Sequence, residues 1–316
     1  MFSDLSNLIY ICATISLLGF LSQYIWLGDL CTQFRPHLAV VCAILFLPLF
    51  LLRKKQKQFK FFVSLLSLCL LANVVPYLLV PSASAPGQKE SQTVSVLQYN
   101  IYSGNPMTDA ELKLISSLDA DIVCIEELSP VWEKILDGKL KKLYPSQFTH
   151  PRLDNFGLAI LSKYKLLEKE IFGPEYQVPS MAVQLEAPSG AKFLVIASHP
   201  EPPRADNAYK NRDIVIREIG KYIAAKLKGD PSLKVIWTGD FNAATWSGQL
   251  ASTLSDIHLK EAKPPLPMAS WPIYAPAPLR IYLDHVFVSS NLKCRSVEMY
   301  DSPGSDHRPL LAKLAY

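Results

Sequence analysis

The stretch KVIWTGDFN, residues 234–242, places an apolar run directly before two short polar side chains. Because the run is rich in β-branched and aromatic residues, which favour strands, it predicts a buried strand that ends at Asp240 and Asn242. The same pattern recurs along the chain: Asn100 ends TVSVLQYN, Glu126 and Glu127 end ADIVCIEEL, His199 ends FLVIASH, Asp284 begins DHVFVSS, and Asp306 with His307 precedes PLLAKLAY. If these strand ends gather at one edge of packed sheets, their polar side chains meet in one cleft.

Helices between these strands are few and mostly long. The stretch TDAELKLISSL, residues 108–118, begins with Thr108 and has Glu111 three residues later, which is the pattern of a capping box. Ser129 and Pro130 predict the start of a second helix, and the longest candidate ends at Gly229. Many strands with few helices predict an α/β fold in which sheets pack against each other and helices lie outside.

The first 80 residues differ from the rest because they are almost free of charge. Leu5–Gly28 is uncharged over 24 residues and Phe61–Val80 over 20, and each is long enough to cross a bilayer as a helix. Leu38–Leu52 is uncharged over only 15 residues, so it is either a third span or a re-entrant or core helix. We predict a membrane domain over residues 1–80, with three helices at about 5–28, 37–52 and 61–80.

The orientation of this domain follows from RKKQKQFK, residues 53–60, which is the basic cluster next to the apolar segments. Cytoplasmic loops carry such clusters, so three spans place everything after Val80 on the extracytoplasmic side. PSASAPGQKESQ, residues 81–92, is a linker rich in Pro and Ser. We therefore expect a multi-pass protein of the cytoplasmic (inner) membrane whose large domain, residues 93–316, is extracytoplasmic.

Charge in the large domain bears on its substrate. The first 80 residues hold six of the 32 basic and two of the 28 acidic residues, so the remainder is formally neutral. Proteins that bind nucleic acid non-specifically carry a basic surface, and the neutral domain therefore argues against a dedicated nuclease. The six cysteines form no CxxC pair and no disulfide framework, although a bond between Cys124 and Cys294 is an alternative.

The strand-end residues combine several carboxylates with two amides and two imidazoles. Hard oxygen ligands of this kind suit Mg²⁺, which takes one or two carboxylates and keeps several waters. The chain has no HExxH, no zinc-type cysteine spacing, no GxSxG and no glycine-rich phosphate loop. Metal-assisted attack of water on phosphorus is the chemistry that fits best.

The motifs LQYN, ADIVCIEEL, FGLAILSK, SHP, GDFNA, LDHVFVSS and GSDHRPL occur in this order over residues 93–316. The chain thereby resembles the endonuclease/exonuclease/phosphatase superfamily. TWS after GDFNA and SWP before LDHVFVSS are similar to a bacterial, membrane-anchored branch of it. The resemblance implies a four-layer α/β sandwich of two mainly antiparallel sheets flanked by helices, preceded here by the transmembrane helices, and a Mg²⁺-dependent phosphoesterase, with Mn²⁺ as an alternative metal.

The resemblance also implies a role for each matching residue. Glu127 would be the main metal ligand with Asn100 beside it, and Glu126 stands where the family more often has Gln. His307 would be a general base or a phosphate-contacting imidazole oriented by Asp284. The remaining roles fall to four residues: Asp240 and Asn242 would position the attacking water and the phosphoryl oxygens, His199 would donate to a non-bridging oxygen, and Asp306 would complete the metal site or the hydrogen-bond network.

Four residues near these motifs are expected to have structural roles. His285 should face away from Asp284 on its strand and be structural, Arg212 should be solvated or paired on the long helix, and Trp246 and Trp271 should be core or lid aromatics.

Three functions are compatible with the sequence. The first is a phosphoesterase acting on a lipid-linked or other membrane-surface phosphodiester or phosphomonoester. The second keeps the chemistry but cleaves nucleic acid outside the cell membrane. The third is a membrane interaction module that has lost catalysis.

Overall fold

In the computed structural model of the protein, the described residues are 2–54, 58–83, 92–173, 178–263 and 269–316. The chain forms two compact units, one of residues 1–80 with 244–251 and one of residues 81–243 with 252–316. Three predicted features lie partly outside the described residues: the basic cluster at 55–57, the 81–92 linker at 84–91, and, at 264–268, the extended loop that PPLPMASWPIYAPAP predicts over residues 264–278.

The N-terminal unit is helical, and its helices begin and end at the following residues: α1 at Phe2–Leu18, α2 at Trp26–Gln33, α3 at Arg35–Leu51 and α4 at Phe59–Leu79. Among the described residues, two stretches are long and apolar enough to cross a membrane, Asp4–Leu21 with mean hydropathy 1.6 and Phe59–Leu79 with mean hydropathy 2.1. Helices α2 and α3 meet at a bend of 65° and count as a third span only if the pair is taken together.

The predicted helix over 5–28 is wrong in its second half, because the chain leaves the helix after Leu21 and folds back. Gly28 packs directly on the end of α1: a Cβ there would lie 2.6 Å from the carbonyl oxygen of Leu18. Only glycine permits this close approach. The other two predicted helices shift by only two residues at their starts, to Arg35 and Phe59.

The helical unit includes the segment 244–251, which comes directly after GDFNA in the chain. Within this unit the indole Nε1 of Trp246 donates to the carbonyl oxygen of Thr32 at 2.8 Å, and its ring meets that of Tyr77 edge-on with centroids 5.8 Å apart. Trp246 is therefore a packing residue of the helical unit.

The second unit contains two six-stranded sheets. The first sheet has the order β11-β12-β1-β2-β4-β3, with strands β1 at Thr93–Asn100, β2 at Ile122–Glu126, β3 at Ser146–His150, β4 at Leu158–Ser162, β11 at Lys293–Met299 and β12 at Leu310–Ala315. The second has the order β5-β6-β7-β8-β10-β9, with strands β5 at Lys165–Phe172, β6 at Ser180–Glu186, β7 at Lys192–Ala197, β8 at Lys234–Asp240, β9 at Lys260–Glu261 and β10 at Asp284–Val288.

Each sheet contains one parallel pair, β1 with β2 and β7 with β8, and the other pairs of described strands are antiparallel. The connections carry helices α5 at Thr108–Leu118, α6 at Pro130–Leu140, α7 at Asp206–Gly229 and α8 at Gly248–Asp256. Two mainly antiparallel sheets flanked by helices form an α/β sandwich, which confirms the predicted fold class.

Helices α5 and α6 pack on the first sheet through a buried cluster that includes Leu97, Ile115 and Trp132. As predicted, the Ser129 hydroxyl accepts from the Trp132 N–H at the start of α6. The predicted capping box of α5 is wrong because the Glu111 carboxylate is buried instead. It accepts from the Asn105 amide at 2.8 Å and from the Ser305 N–H at 3.1 Å, so it anchors the segment that leads to His307.

Candidate functional site

Strand register brings the polar strand ends together in pairs. In the second sheet Asp240 lies opposite Asp284 across the antiparallel β8–β10 pair. In the first sheet Asn100 lies opposite Glu126 across the parallel β1–β2 pair. The Asn100 amide then reaches across to the second sheet, since its Nδ2 donates to Asp240 Oδ2 at 3.2 Å. Residues from both sheets therefore form one buried polar site.

The carboxylate of Asp240 is the centre of this site. Besides the Asn100 amide, its Oδ2 lies 3.4 Å from His199 Nε2 and 3.5 Å from His307 Nε2. Its Oδ1 accepts from the Asn242 N–H at 2.9 Å. All five side chains are buried. Residues that are distant in sequence thus converge on one acceptor, as the strand-end pattern predicted.

The ring of His307 is held between two carboxylates. Its Nδ1 bonds to Asp284 Oδ2 at 2.9 Å, and its Nε2 faces Asp240. Burial by itself would lower the pKa of His307, but Asp284 and Asp240 outweigh burial and raise that pKa to about 10. At neutral pH the imidazole is therefore a cation that can donate from Nε2.

Asp240 and His199 have complementary electrostatics. Burial would raise the pKa of Asp240, but the imidazoles of His307 and His199 hold it below the ordinary carboxylate range. Burial opposes the protonation of His199, yet its hydrogen bond and its attraction to Asp240 raise the pKa of His199. The site therefore holds a carboxylate anion between two proton-donating rings, an arrangement suited to a water molecule and phosphoryl oxygens.

Glu127 lies at the open side of the site. It follows the end of β2 with a positive φ of 61°, which is uncommon for a residue with a side chain and clusters at functional sites. Its Oε1 accepts from the Asn100 amide at 3.2 Å and its Oε2 from the Ser103 N–H at 3.0 Å. The carboxylate is half-buried, so part of it still faces solvent.

Asn242 also has a positive φ, 50°, and its amide donates to the carbonyl oxygen of Pro200 at 3.0 Å. Its own carbonyl oxygen accepts from Arg212 at 3.1 Å. Arg212 is fully buried and ion-paired with Asp213 at 2.7 Å. Of its two predicted alternatives, solvated or paired, Arg212 is thus paired, and it also holds the loop that carries Asn242.

Asp306 takes part in the hydrogen-bond network at the edge of the site. Its Oδ2 accepts from the indole Nε1 of Trp271 at 2.8 Å, and it is half-buried. Its charge contributes to the raised pKa of His307. The Trp271 ring lies beside His307, with ring centroids 6.3 Å apart, so Asp306 and Trp271 form one wall of the site.

Sequence reasoning missed Gln98, which lies two residues before Asn100. Its buried amide Nε2 donates to Asp284 Oδ1 at 2.7 Å and to Glu126 Oε2 at 2.9 Å. Gln98 therefore connects the two sheets and fixes the carboxylate that holds His307. The available signal was the spacing, since residues 98 and 100 of a strand lie on the same face of the sheet.

Glu126 is completely buried beneath this network. Burial is the largest cause that raises the pKa of Glu126 well above its ordinary value, and the charges of Asp284 and Asp240 add to it. Glu126 therefore remains protonated more readily than an exposed glutamate.

His285 faces away from the site, as its place on the strand predicted. Its Nε2 bonds to the carbonyl oxygen of Ala243 at 2.9 Å, and its Nδ1 to Glu261 Oε1 at 2.7 Å. Because a carbonyl only accepts, Nε2 carries a proton. The ring thus holds the chain directly after Asn242 from the opposite side of the sheet.

Two places offer ligand atoms for a divalent metal. Asp240, Asp284 and His307 have ligand atoms within 4.8 Å of one another. Metal binding there would break the bond between His307 and Asp284. Glu127 instead offers hard carboxylate oxygens at the open side of the site, which matches the preference of Mg²⁺, whereas the side-chain oxygen of the neighbouring Asn100 accepts from the Tyr102 N–H at 3.0 Å. The residues present therefore fit a divalent metal better at Glu127.

Comparison with solved structures shows the same fold in proteins with low identity. Human Nocturnin's catalytic domain aligns with 72% of this chain and 96% of its own at a TM-score of 0.58 and 20% identity. Truncated Caenorhabditis elegans TDP2 aligns with 71% of this chain and 98% of its own, at a TM-score of 0.59 and 16% identity. Sphingomyelinase C from Streptomyces griseocarneus aligns with 71% of this chain and 99% of its own, at a TM-score of 0.54 and 19% identity. No curated protein sequence matches this chain.

A family model gives the assignment at the level of sequence. The model of the Endonuclease/Exonuclease/phosphatase family matches residues 97–307, about two thirds of the chain, and this range contains every residue of the site from Gln98 to His307. Its members are generally hydrolytic phosphoesterases that typically use a divalent metal. The chain belongs to the endonuclease/exonuclease/phosphatase family.

Proposed function

We propose that this protein is a membrane-anchored, metal-dependent phosphoesterase that hydrolyses a phosphodiester or phosphomonoester at a membrane surface. The observation that carries the proposal is the convergence of Asn100, His199 and His307 on the carboxylate of Asp240. Such a buried set of one anion, two imidazoles and an amide is the kind of preorganised polar site that phosphoryl transfer requires.

Glu127 would hold the metal, with Asn100 beside it and Asp306 as the further acidic group. Mg²⁺ is the favoured ion and Mn²⁺ the alternative, since the donors are hard oxygens. When bound, the metal supplies Lewis-acid stabilisation of negative charge on the phosphoryl oxygens.

The chain's own residues account for the remaining steps. Asp240, an anion at neutral pH, orients the attacking water and accepts its proton, and Asn242 positions the phosphoryl group. His307 donates from Nε2 to a phosphoryl oxygen while Asp284 fixes its ring. His199 donates to a second non-bridging oxygen. Of the two roles expected for His307, the raised pKa favours phosphate contact over general base.

A substrate at the membrane surface is favoured by the helical unit. Two apolar helices of this unit are long enough to cross a bilayer, and the basic cluster at 53–60 favours the cytoplasmic side for that loop. We therefore propose a multi-pass protein of the cytoplasmic membrane with its catalytic domain extracytoplasmic. The segment 244–251, which follows Asn242 almost directly in sequence, belongs to the helical unit and supports a lipid-linked substrate.

The substrate test is a direct comparison of three classes with the detergent-solubilised full chain and Mg²⁺. We expect turnover of a phospholipid diester to exceed that of single-stranded nucleic acid and of a sugar phosphate. His307→Ala is the matched inactive control. Cleavage of nucleic acid at physiological salt, with no action on lipid, would instead select the extracytoplasmic nuclease, whose weakness is the neutral charge of the domain.

Two further measurements bear on the remaining alternatives. A reporter fused after Tyr316 should be active only outside the cytoplasm, and a cytoplasmic signal would reverse the topology. Isothermal calorimetry should detect Mg²⁺ binding that Glu127→Gln removes. Wild-type protein that binds no divalent metal would instead favour a non-catalytic membrane interaction module.

A further inference from the structure

The helical unit contains an apolar groove between α1 and α4. Its volume is about 410 Å³, within the range of small-ligand pockets of roughly 300–1,000 Å³. Its walls are made mainly of aliphatic side chains, among them the following six: Ala13, Leu17 and Phe20 from the N-terminal side, and Leu68, Ala72 and Val75 from α4. Such a groove fits an acyl chain.

Arg35 lies against this groove. One of its Nη atoms donates to the carbonyl oxygen of Ala72, and its guanidinium stacks over the ring of Phe20, 5.2 Å from the centroid. Both of those residues line the groove. Gly19 makes the approach feasible, since a Cβ at that position would lie 3.0 Å from Arg35 Nη2.

The charge of Arg35 has no carboxylate partner among the described residues. The side chain is only 4% exposed, and its buried Nε has no hydrogen-bond acceptor. A buried cation is costly unless an anion compensates it, and basic pockets between transmembrane helices bind anionic lipid headgroups. An Arg guanidinium offers paired N–H groups that match phosphate oxygens.

The position of Arg35 along α3 is consistent with binding a lipid phosphate. Helix α3 runs from Arg35 over 17 residues, about 25 Å, to the basic cluster at 53–60. The hydrocarbon core of a bilayer is about 30 Å thick. With α3 crossing the bilayer, Arg35 and Arg53 lie near opposite membrane surfaces, where lipid phosphates are found, and Arg35 contacts two of the residues that line the groove, Phe20 and Ala72.

We propose that the helical unit binds one anionic phospholipid, with its phosphate on Arg35 and an acyl chain in the groove between α1 and α4. The proposal rests on the membrane insertion in the proposed function but not on catalysis. Its ligand is a structural or regulatory lipid held by the helices, at a place distinct from the residues around Asp240.

The test is native mass spectrometry of the purified full chain in a zwitterionic detergent, titrated with phosphatidylglycerol or phosphatidylcholine. One charge near an anionic lipid contributes enough for about a five- to tenfold preference. Wild type should retain one phosphatidylglycerol with that preference, and Arg35→Gln should abolish it. Arg53→Gln removes a basic residue at the other end of α3 and should keep it.

A second variant, Leu68→Trp, tests the proposal independently if Arg35→Gln does not fold. Leu68 is 60% exposed and lines the groove, so Leu68→Trp should fill the groove and reduce retention of both lipids. Unchanged retention in Leu68→Trp, or an unchanged preference in Arg35→Gln, would overturn the proposal. Displacement of the lipid by an equal concentration of inorganic phosphate would assign Arg35 to free phosphate and overturn it as well.

Catalysis is measured separately in the same variants with a soluble phosphodiester. Arg35→Gln should retain wild-type turnover, while His307→Ala should lose turnover and retain the lipid preference. A failed hydrolysis assay therefore leaves the lipid result intact, and a failed lipid assay leaves the proposed function intact.

Discussion

Replacing Gln98 with Leu removes the amide that joins the two sheets beneath the site. Its Nε2 donates at 2.7 Å to Asp284 and at 2.9 Å to Glu126, and the side chain is fully buried. Each buried acceptor left without its donor costs about 1–3 kcal/mol. Because Asp284 keeps its bond to His307, we expect a loss of about 2–4 kcal/mol of unfolding free energy.

The effect on catalysis should exceed that of a purely structural change. Without Gln98, the carboxylate of Asp284 is free to rotate and the ring of His307 loses its fixed direction. We expect kcat to fall about 10–100-fold, equivalent to about 1.4–2.7 kcal/mol of transition-state stabilisation, with KM nearly unchanged. Thermal unfolding and steady-state hydrolysis of a soluble phosphodiester, on the same preparation, give both numbers.

Glu126→Gln is the matched control, since its amide oxygen still accepts from Gln98 and the bond to Asp284 remains. Its kcat should stay within about threefold of wild type, because the carboxyl group that it replaces does not contact the transition state. A Gln98→Leu protein that melts lower but retains wild-type kcat would show that Gln98 only supports the fold. An equal loss of kcat in both variants would refute the proposed connection to Asp284.

Three further changes have definite expected outcomes. Burial raises the pKa of Glu126 above its ordinary value of 4.5. The protonated carboxyl group therefore contributes its full stability below about pH 4.5, and this contribution is lost as the pH rises. The melting temperature of Glu126→Gln should accordingly increase relative to that of wild type between about pH 5 and about pH 8. Arg212→Gln breaks a buried ion pair and should cost about 3–5 kcal/mol in denaturant unfolding, whereas exposed Arg217→Gln should stay within about 0.5 kcal/mol. His285→Leu should lower kcat about tenfold without changing Mg²⁺ affinity, and a wild-type kcat would remove His285 from the support of Asn242.

The sequence predicts the sandwich and the convergence of the strand ends because both depend on strong local patterns. Apolar runs such as KVIWTGD form strands, and the polar residue at each end lies at a sheet edge whatever the detailed packing. Asp240 and Asp284 therefore meet as expected, across adjacent antiparallel strands.

The sequence does not reveal interactions that depend on packing between the sheets. Gln98 reads as an ordinary strand residue, and its bond to Asp284 joins positions 186 residues apart. Glu111 has the spacing of a capping box, but a buried tyrosine and the loop before His307 offer it better partners. Gly28 interrupts no apolar pattern, yet it marks where the first helix has already ended and folded back.

Glu127 is proposed to hold the metal for a hydrolytic site built around Asp240. The most direct measurement is the initial rate of hydrolysis of one soluble phosphodiester against Mg²⁺ concentration, for wild type, Glu127→Gln and exposed Glu168→Gln. We predict a saturable Mg²⁺ dependence in wild type and in Glu168→Gln, and a loss of at least about 10²-fold in Glu127→Gln, equivalent to about 2.7 kcal/mol. Equal Mg²⁺-dependent rates in all three proteins would contradict the account.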